Sequence, residues 1–215
     1  NQASVLLGDY LFTHAFYLAS TLETTFGCRA IGRATNVFCE GELKQSASSG
    51  DFQLSLEAYS TIIEAKTAEL CACCCQLGAH YAGADAQVTA CLEAYGRHLG
   101  IAFQIADDLL DLEGQEVLTG KSLGTDLAKR KMTLPLIALR DGLNAGARQE
   151  LAQLVDQPDA EQVAKLRRWL NESGSLQHAR AVAEEHVAQA VAQLESLPSS
   201  PARSSLAQIA QFVAN

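Results

Sequence analysis

Phe103-Gln104-Ile105-Ala106-Asp107-Asp108-Leu109-Leu110-Asp111 sets three carboxylates into an otherwise apolar stretch of helical character. At about 100° per residue, Asp107 and Asp111 stack one turn apart on one helix face, and Asp108 flanks them. Three like charges at that spacing repel one another. Burying even one ionised carboxylate is costly unless it is paired or coordinates a metal, so the segment demands a counter-charge, and a divalent cation is the expected one. The bland alternative, a solvated acidic face, leaves the surrounding apolar residues without a reason.

Outward from that helix, the composition points the same way. Ala, Leu, Gln and Glu dominate, β-branched and aromatic residues are sparse, and Gly and Pro cluster between long periodic runs, so an all-α chain is expected. A chain of 215 residues with 48% hydrophobic content suffices for one domain, which is read here as spanning residues 1–215. The net charge of -9 argues against nucleic-acid binding as the main activity. No run of 18 apolar residues and no charged-then-apolar opening segment occurs, so no membrane span and a soluble, cytoplasmic protein are expected.

The periodicity predicts helices over about 4–20, 29–48, 55–80 and 85–112, with Gly27 in the turn after the first, Ser55 capping the third and Asp85 opening the fourth. Residues 113–132 hold Gly114, Gly120 and Gly124 and read as a mobile, charged loop. Thr133 and Pro135 start another helix, and amphipathic helices follow at about 147–155, 159–172, 175–196 and 201–214. Seven cysteines include Cys71, Cys73, Cys74 and Cys75. Neighbours on a helix diverge by about 100°, and no second Cys/His cluster stands elsewhere to complete a tetrahedral metal site. They are expected to be small core residues at a tight helix crossing.

After the acidic helix comes Gly120-Lys121-Ser122-Leu123-Gly124-Thr125-Asp126, then Lys129-Arg130-Lys131. Glycines let backbone approach a phosphate and lysines supply point charges to its oxygens; alone, the segment reads equally well as a solvated loop. Carboxylates that hold Mg²⁺, followed by lysines, form what a diphosphate needs.

With these elements in order, the chain resembles the trans-isoprenyl diphosphate synthases, or polyprenyl synthases. The likeness runs through Gly8-Asp9-Tyr10-Leu11, Gly41-Glu42-Leu43, Tyr59, Ile62-Ile63, Lys66-Thr67, Gly96, Leu99-Gly100, Phe103-Gln104, Asp107-Asp108-x-x-Asp111, Gly120-Lys121, Gly124-Thr125-Asp126 and Lys131-Met132-Thr133-Leu134-Pro135. The opening elements look like those of medium- and long-chain members. The resemblance implies an isoprenoid-synthase-type antiparallel helix bundle around a central cavity, and a Mg²⁺-dependent condensation of an allylic prenyl diphosphate with isopentenyl diphosphate that releases pyrophosphate. It further implies that Asp107, Asp108 and Asp111 bind metal, with Asp107 the foremost ligand, and that Lys66, Lys121 and Lys131 hold the allylic diphosphate. Thr67 and Gln104 would lie near the carbocation and Phe103 would line the substrate pocket, although helix hydrogen bonding and core packing account for the same three types.

Homodimers formed through helices like the first two are implied as well. The chain departs from the family pattern at Arg130, where glycine is usual, and this is expected to be tolerated. The family's first aspartate-rich motif, its adjacent arginine pair and its isopentenyl diphosphate site lie upstream of the residue matching Asn1. The chain is therefore read as the C-terminal two thirds of the family domain, expected to be poorly active alone. A non-catalytic partner subunit of a two-component synthase and a class I terpene cyclase are the alternatives, and product length stays open.

Overall fold

The computed structural model describes residues 2–113, 125–156 and 160–213, and every regular element in them is helical. In chain order these are α1 (Gln2–Ser20), α2 (Phe26–Ala47), α3 (Leu56–Ile63), a π-helical turn (Glu64–Ala68), α4 (Glu69–Tyr81), α5 (Ala86–Glu113), α6 (Thr125–Ala128), α7 (Leu134–Gly142), α8 (Ala145–Asp156), α9 (Ala160–Glu172), α10 (Ser175–Gln193) and α11 (Pro201–Val213). Side chains cap several of the helices, although Thr133 makes no cap bond at the start of α7. Ser55 Oγ accepts from the Ala58 amide, Asp85 Oδ1 from Val88, and Ser200 Oγ from Arg203.

Three features depart from the sequence reading. The helix expected over 55–80 is broken in register by the π-helical turn, and Gly27, expected in a turn, lies inside α2, where its amide donates to the Tyr81 hydroxyl at 3.1 Å. Part of the expected loop over 113–132 is the short helix α6; Gly114, Gly120, Lys121 and Gly124 lie outside the described residues.

Helix α5 is the axis of the fold. Its Ile101, Ile105, Leu109 and Leu112 pack against Tyr59 and Ile62 of α3, Leu136 and Ile137 of α7, and Leu176, Ala179 and Ala183 of α10. Further along, Tyr95 and Ala102 meet Val187 and Ala190, and Ala210 of α11 closes this end, with the Tyr95 hydroxyl donating to the Leu206 carbonyl. Opposite α10, α5 approaches the π turn and α4 backbone to backbone. A Cβ on Gly96 would stand 2.5 Å from the Cys71 carbonyl oxygen, and one on Gly100 would stand 2.5 Å from the Ala68 Cα. The cysteines serve this tight packing unequally: Cys71 supplies backbone to the crossing, Cys73 is buried with Ala30 and Ala34 of α2, and Cys74 is exposed.

Helix α1 lies at the margin. Ala19 is its buried residue, while Val5, Leu6, Leu7, Tyr10 and Leu11 are exposed. No helix among the described residues is long and apolar enough to cross a membrane.

Between α5 and α10 the rings of His98 and His186 meet Nδ1 to Nδ1 at 3.1 Å, so one imidazole donates to the other. Burial lowers both pKa values from 6.5; Arg97 adds to this at His98 and the His98 ring at His186, while Glu64 opposes at both and Glu185 at His186.

Two outcomes follow from this packing. Gly100→Ala forces a methyl into the Ala68 backbone and should lower stability by about 1–3 kcal/mol, read by denaturant unfolding. Because the folded histidines bind protons less readily than the unfolded ones, their contribution is complete above pH 6.5 and is lost as pH falls through and below it. Melting temperature should drop from about pH 7.5 to about pH 5, and His186→Gln should flatten that drop; an unchanged slope in the variant refutes the assignment.

Candidate active site

The π turn presents the first group of site residues. The Glu69 amide reaches the Glu64 carbonyl five residues back, which widens the helix by one residue at Lys66 and Thr67. Glycines on both sides make room for it. A Cβ on Gly41 of α2 would meet Ala65 Cβ at 2.8 Å and the Lys66 amide nitrogen at 2.9 Å, and Gly100 of α5 faces Ala68. Gripped in this way, the turn sends Lys66 toward α2, where Nζ donates to Gln45 Oε1 at 2.8 Å, and Thr67 toward α5, where Oγ1 donates to Gln104 Oε1 at 2.9 Å.

Gln104 passes that contact on to a buried hub. Its Nε2 donates to Asp108 Oδ1 at 2.9 Å, Lys131 Nζ donates to the same oxygen at 2.8 Å, and the Tyr59 hydroxyl donates to Oδ2 at 2.7 Å. Asp108 is 0% exposed. Lys131 also reaches Asp126 Oδ2 at 2.9 Å, so one ammonium lies between two carboxylates. Burial pushes the Asp108 carboxyl upward, against the pull of Lys131 and Tyr59. For Lys131 burial opposes the charge, but Asp108 and Asp126 outweigh it and the pKa rises. Tyr59 goes well above its ordinary value, first through burial and then through the Asp108 charge, so the phenol stays protonated and donates.

Asp111 fixes the next segment. Its Oδ1 accepts from the Thr125 amide and hydroxyl at 3.1 and 2.8 Å, and its Oδ2 from the Asp126 amide at 3.1 Å, which holds the start of α6 against α5. Residues 129 and 130 are tied to the turn after α2: Gly50 donates to the Arg130 carbonyl and Ser49 Oγ to that of Lys129. Arg130 has φ of 53°, the left-handed region, which explains why glycine suits this position and puts the cost of arginine here at about 1–2 kcal/mol.

The expected site residues therefore divide into two faces. Phe103, Asp107 and Asp111 follow one another at helical spacing along one side of α5, with Phe103 about half exposed. Asp108 turns inward, and its counter-charge is a lysine of the protein rather than the divalent cation expected from the sequence. Lys131, expected to hold diphosphate, is occupied by two carboxylates; Lys121 lies outside the described residues. Among the described residues no three His, Cys, Asp or Glu side chains converge on one point. Asp107 and Asp111 still suit Mg²⁺, which characteristically takes one or two carboxylates and completes its shell with phosphate and water oxygens.

A cavity of about 410 Å³ opens beside Lys66 and Lys131, lined by Glu42, Gln45, Tyr59, Asp126 and Lys129 among others, while Asp107 and Asp111 are not in its lining. It lies where α2, α3, the π turn and the segment after α6 meet. Sequence reasoning missed Gln45 and the part Tyr59 plays as a donor. A signal for Gln45 existed in its position one turn after Gly41, the residue that admits the π turn to α2.

Residues 1–173 match the sequence profile described as polyprenyl synthetase. The octaprenyl diphosphate synthase of Escherichia coli K12 is 35% identical over 214 residues, which covers 99% of this chain and 66% of that protein. The geranylgeranyl diphosphate synthase of Mycobacterium tuberculosis is 34% identical, covering 96% of this chain and 61% of its own length. Among solved structures, the polyprenyl synthase of Caulobacter crescentus, crystallised with calcium and isoprenyl diphosphate, superimposes with a TM-score of 0.91 at 34% identity over 99% of this chain and 66% of that one. The chain spans a little under two thirds of the length of the relatives it matches.

The hub sets a test of stability that needs no substrate. Lys131→Met leaves Asp108 buried without its cation and should destabilise the fold by about 3–5 kcal/mol at neutral pH. Adding Asp108→Asn should recover much of that loss in chemical denaturation, because the buried group is then neutral.

Proposed function

Since the chain belongs to the polyprenyl synthetase family, we propose that this protein is a Mg²⁺-dependent trans-prenyltransferase that joins an allylic prenyl diphosphate to isopentenyl diphosphate and releases pyrophosphate. The observation that carries the reading is the placement of Lys66 and Thr67 on the π turn, Lys66 lining a polar cavity and Thr67 bonded to Gln104, which stands one turn before Asp107 on α5. Such a cavity and such donors suit an anionic head group better than an apolar substrate alone.

In the reaction the allylic carbon–oxygen bond ionises, the double bond of isopentenyl diphosphate adds to the resulting carbocation, and loss of a proton leaves a trans double bond. Lys66 binds departing diphosphate oxygens. The Thr67 hydroxyl and the Gln104 amide place polar oxygens near the cation without adding a nucleophilic carboxylate. Phe103, exposed on the Asp107 side of α5, offers an aromatic ring to the allylic chain. Asp107 and Asp111 would hold Mg²⁺, with Asp108 and Lys131 behind them fixing the helix and the segment after α6. Bound Mg²⁺ supplies Lewis-acid neutralisation of the leaving pyrophosphate, and fixed positive charge at a leaving group is worth several kcal/mol.

A homodimer formed through α1 and α2 fits the same reading, since α1 leaves Val5, Leu6, Tyr10 and Leu11 at the surface. The family favours chain elongation over the cyclase alternative, and retention of both the aspartates and the lysines weighs against a non-catalytic subunit.

Pyrophosphate release from farnesyl diphosphate and isopentenyl diphosphate in Mg²⁺ tests the assignment in the full-length protein. Asp107→Ala and Lys66→Ala should each lower kcat/KM by about a hundredfold or more. Rates near wild type in both variants refute the site.

A further inference from the structure

We propose that Gln45 is a positioning residue, whose amide oxygen aims the Lys66 ammonium at the cavity without setting a carboxylate against it at hydrogen-bond distance. This rests on the reading of Lys66 as a diphosphate-binding residue.

Two part-buried lysines line the same cavity in contrasting electrostatic circumstances. Lys131 stands 2.8 Å from a carboxylate oxygen of Asp108 and 2.9 Å from one of Asp126, so its charge is already balanced within the protein. Lys66 is buried to a similar degree, its side chain 17% exposed, yet its hydrogen-bond partner is a neutral amide, Gln45 Oε1, at 2.8 Å. The carboxylate in reach, Glu42, is 3.8 Å away with its side chain 48% exposed, so solvent screens it. An ammonium only donates, so the oxygen end of the Gln45 amide must face it, and the assignment does not depend on telling oxygen from nitrogen.

The placement follows from the backbone. Gly41 has no side chain, which lets α2 approach within contact of Ala65 and the Lys66 amide nitrogen. Gln45 stands one turn further on, where its side chain reaches the end of Lys66. The wider π turn rotates Lys66 toward that partner.

The physical logic concerns competition for one ammonium. A lysine left loose in a half-buried site samples many rotamers, and each must be given up when an anion binds. A lysine held by a carboxylate is ordered, but an incoming diphosphate must then displace a negative charge or be repelled by it. A neutral acceptor orders the side chain and leaves the full charge for the ligand. Glu42 at longer range supports the same arrangement without competing at contact distance.

The test uses the full-length protein with farnesyl diphosphate, isopentenyl diphosphate and Mg²⁺, and measures kcat, both KM values and melting temperature. Gln45→Glu retains shape and puts a carboxylate against Lys66. It should raise the KM for farnesyl diphosphate about tenfold or more, leave the KM for isopentenyl diphosphate within about twofold, and keep or raise the melting temperature. Gln45→Met removes the acceptor without adding charge, and its rise in KM for farnesyl diphosphate should be smaller than that of Gln45→Glu. A merely structural role would instead lower the melting temperature in both variants and move both KM values together, which overturns the proposal. If Lys66→Ala raises the KM for farnesyl diphosphate and Gln45→Glu does not, the Gln45 proposal alone is overturned. If wild type releases no pyrophosphate, or Lys66→Ala leaves that KM unchanged, the reading of Lys66 fails and the proposal fails with it.

Discussion

Asp108 lies inside the protein with both carboxylate oxygens hydrogen-bonded, and the three groups that bond it come from three separate parts of the chain: Tyr59 of α3, Gln104 of α5 and Lys131 after α6. A buried charge tolerates little error in its surroundings, because an oxygen left without a donor, or a lysine left without a carboxylate, has no water to fall back on. The hub therefore fixes relative positions more than it adds net stability. It sets α3 against α5 and brings the segment at 125–132 back over them, and Asp111 repeats the task from solvent by holding the Thr125 and Asp126 amides.

Once α3 and α5 are fixed, the widened turn between α3 and α4 becomes consequential. A π turn is unfavourable in isolation, and here its backbone is held by the glycine faces of α2 and α5. Close approach sends Lys66 and Thr67 to hydrogen-bond partners on opposite sides, and so converts a local irregularity into two directed side chains. Thr67 joins the hub through Gln104, and Lys66 faces the cavity instead. One backbone feature thus links the structural network to the site.

How much of this was legible in the sequence depends on the range of the interaction concerned. The starts of the third and fourth helices were readable because Ser55 and Asp85 act on amides three residues away. The aspartate cluster was readable as a demand for counter-charge, but its geometry alone could not say that Asp108 would obtain it from Lys131, 23 positions along the chain. Three carboxylates within five residues look alike in a sequence, and packing alone decides which turns inward. The π turn was hidden for a related reason. The sequence from 55 to 80 carries ordinary helical periodicity, and the residues that make room for the extra one are Gly41 and Gly100, which lie on other helices.

The different treatment of the two lysines is the point at which fold and proposed chemistry meet. A protein with a net charge of -9 repels polyanions at long range, and a diphosphate must be won over at short range by cations whose charge is not already cancelled. Total lysine content is a poor guide to that capacity. Lys131, between Asp108 and Asp126, adds almost nothing to the field felt in the cavity, and its job is to let a carboxylate be buried. Lys66, hydrogen-bonded to an amide and 3.8 Å from the exposed Glu42 carboxylate, keeps more of its charge for the cavity. Had the two acceptor types been exchanged, the hub would hold an unbalanced charge and the cavity a neutral pair, so the fold would weaken and the site would lose its anion. The assignment of acid to one lysine and amide to the other is thus a single constraint that serves stability and binding together.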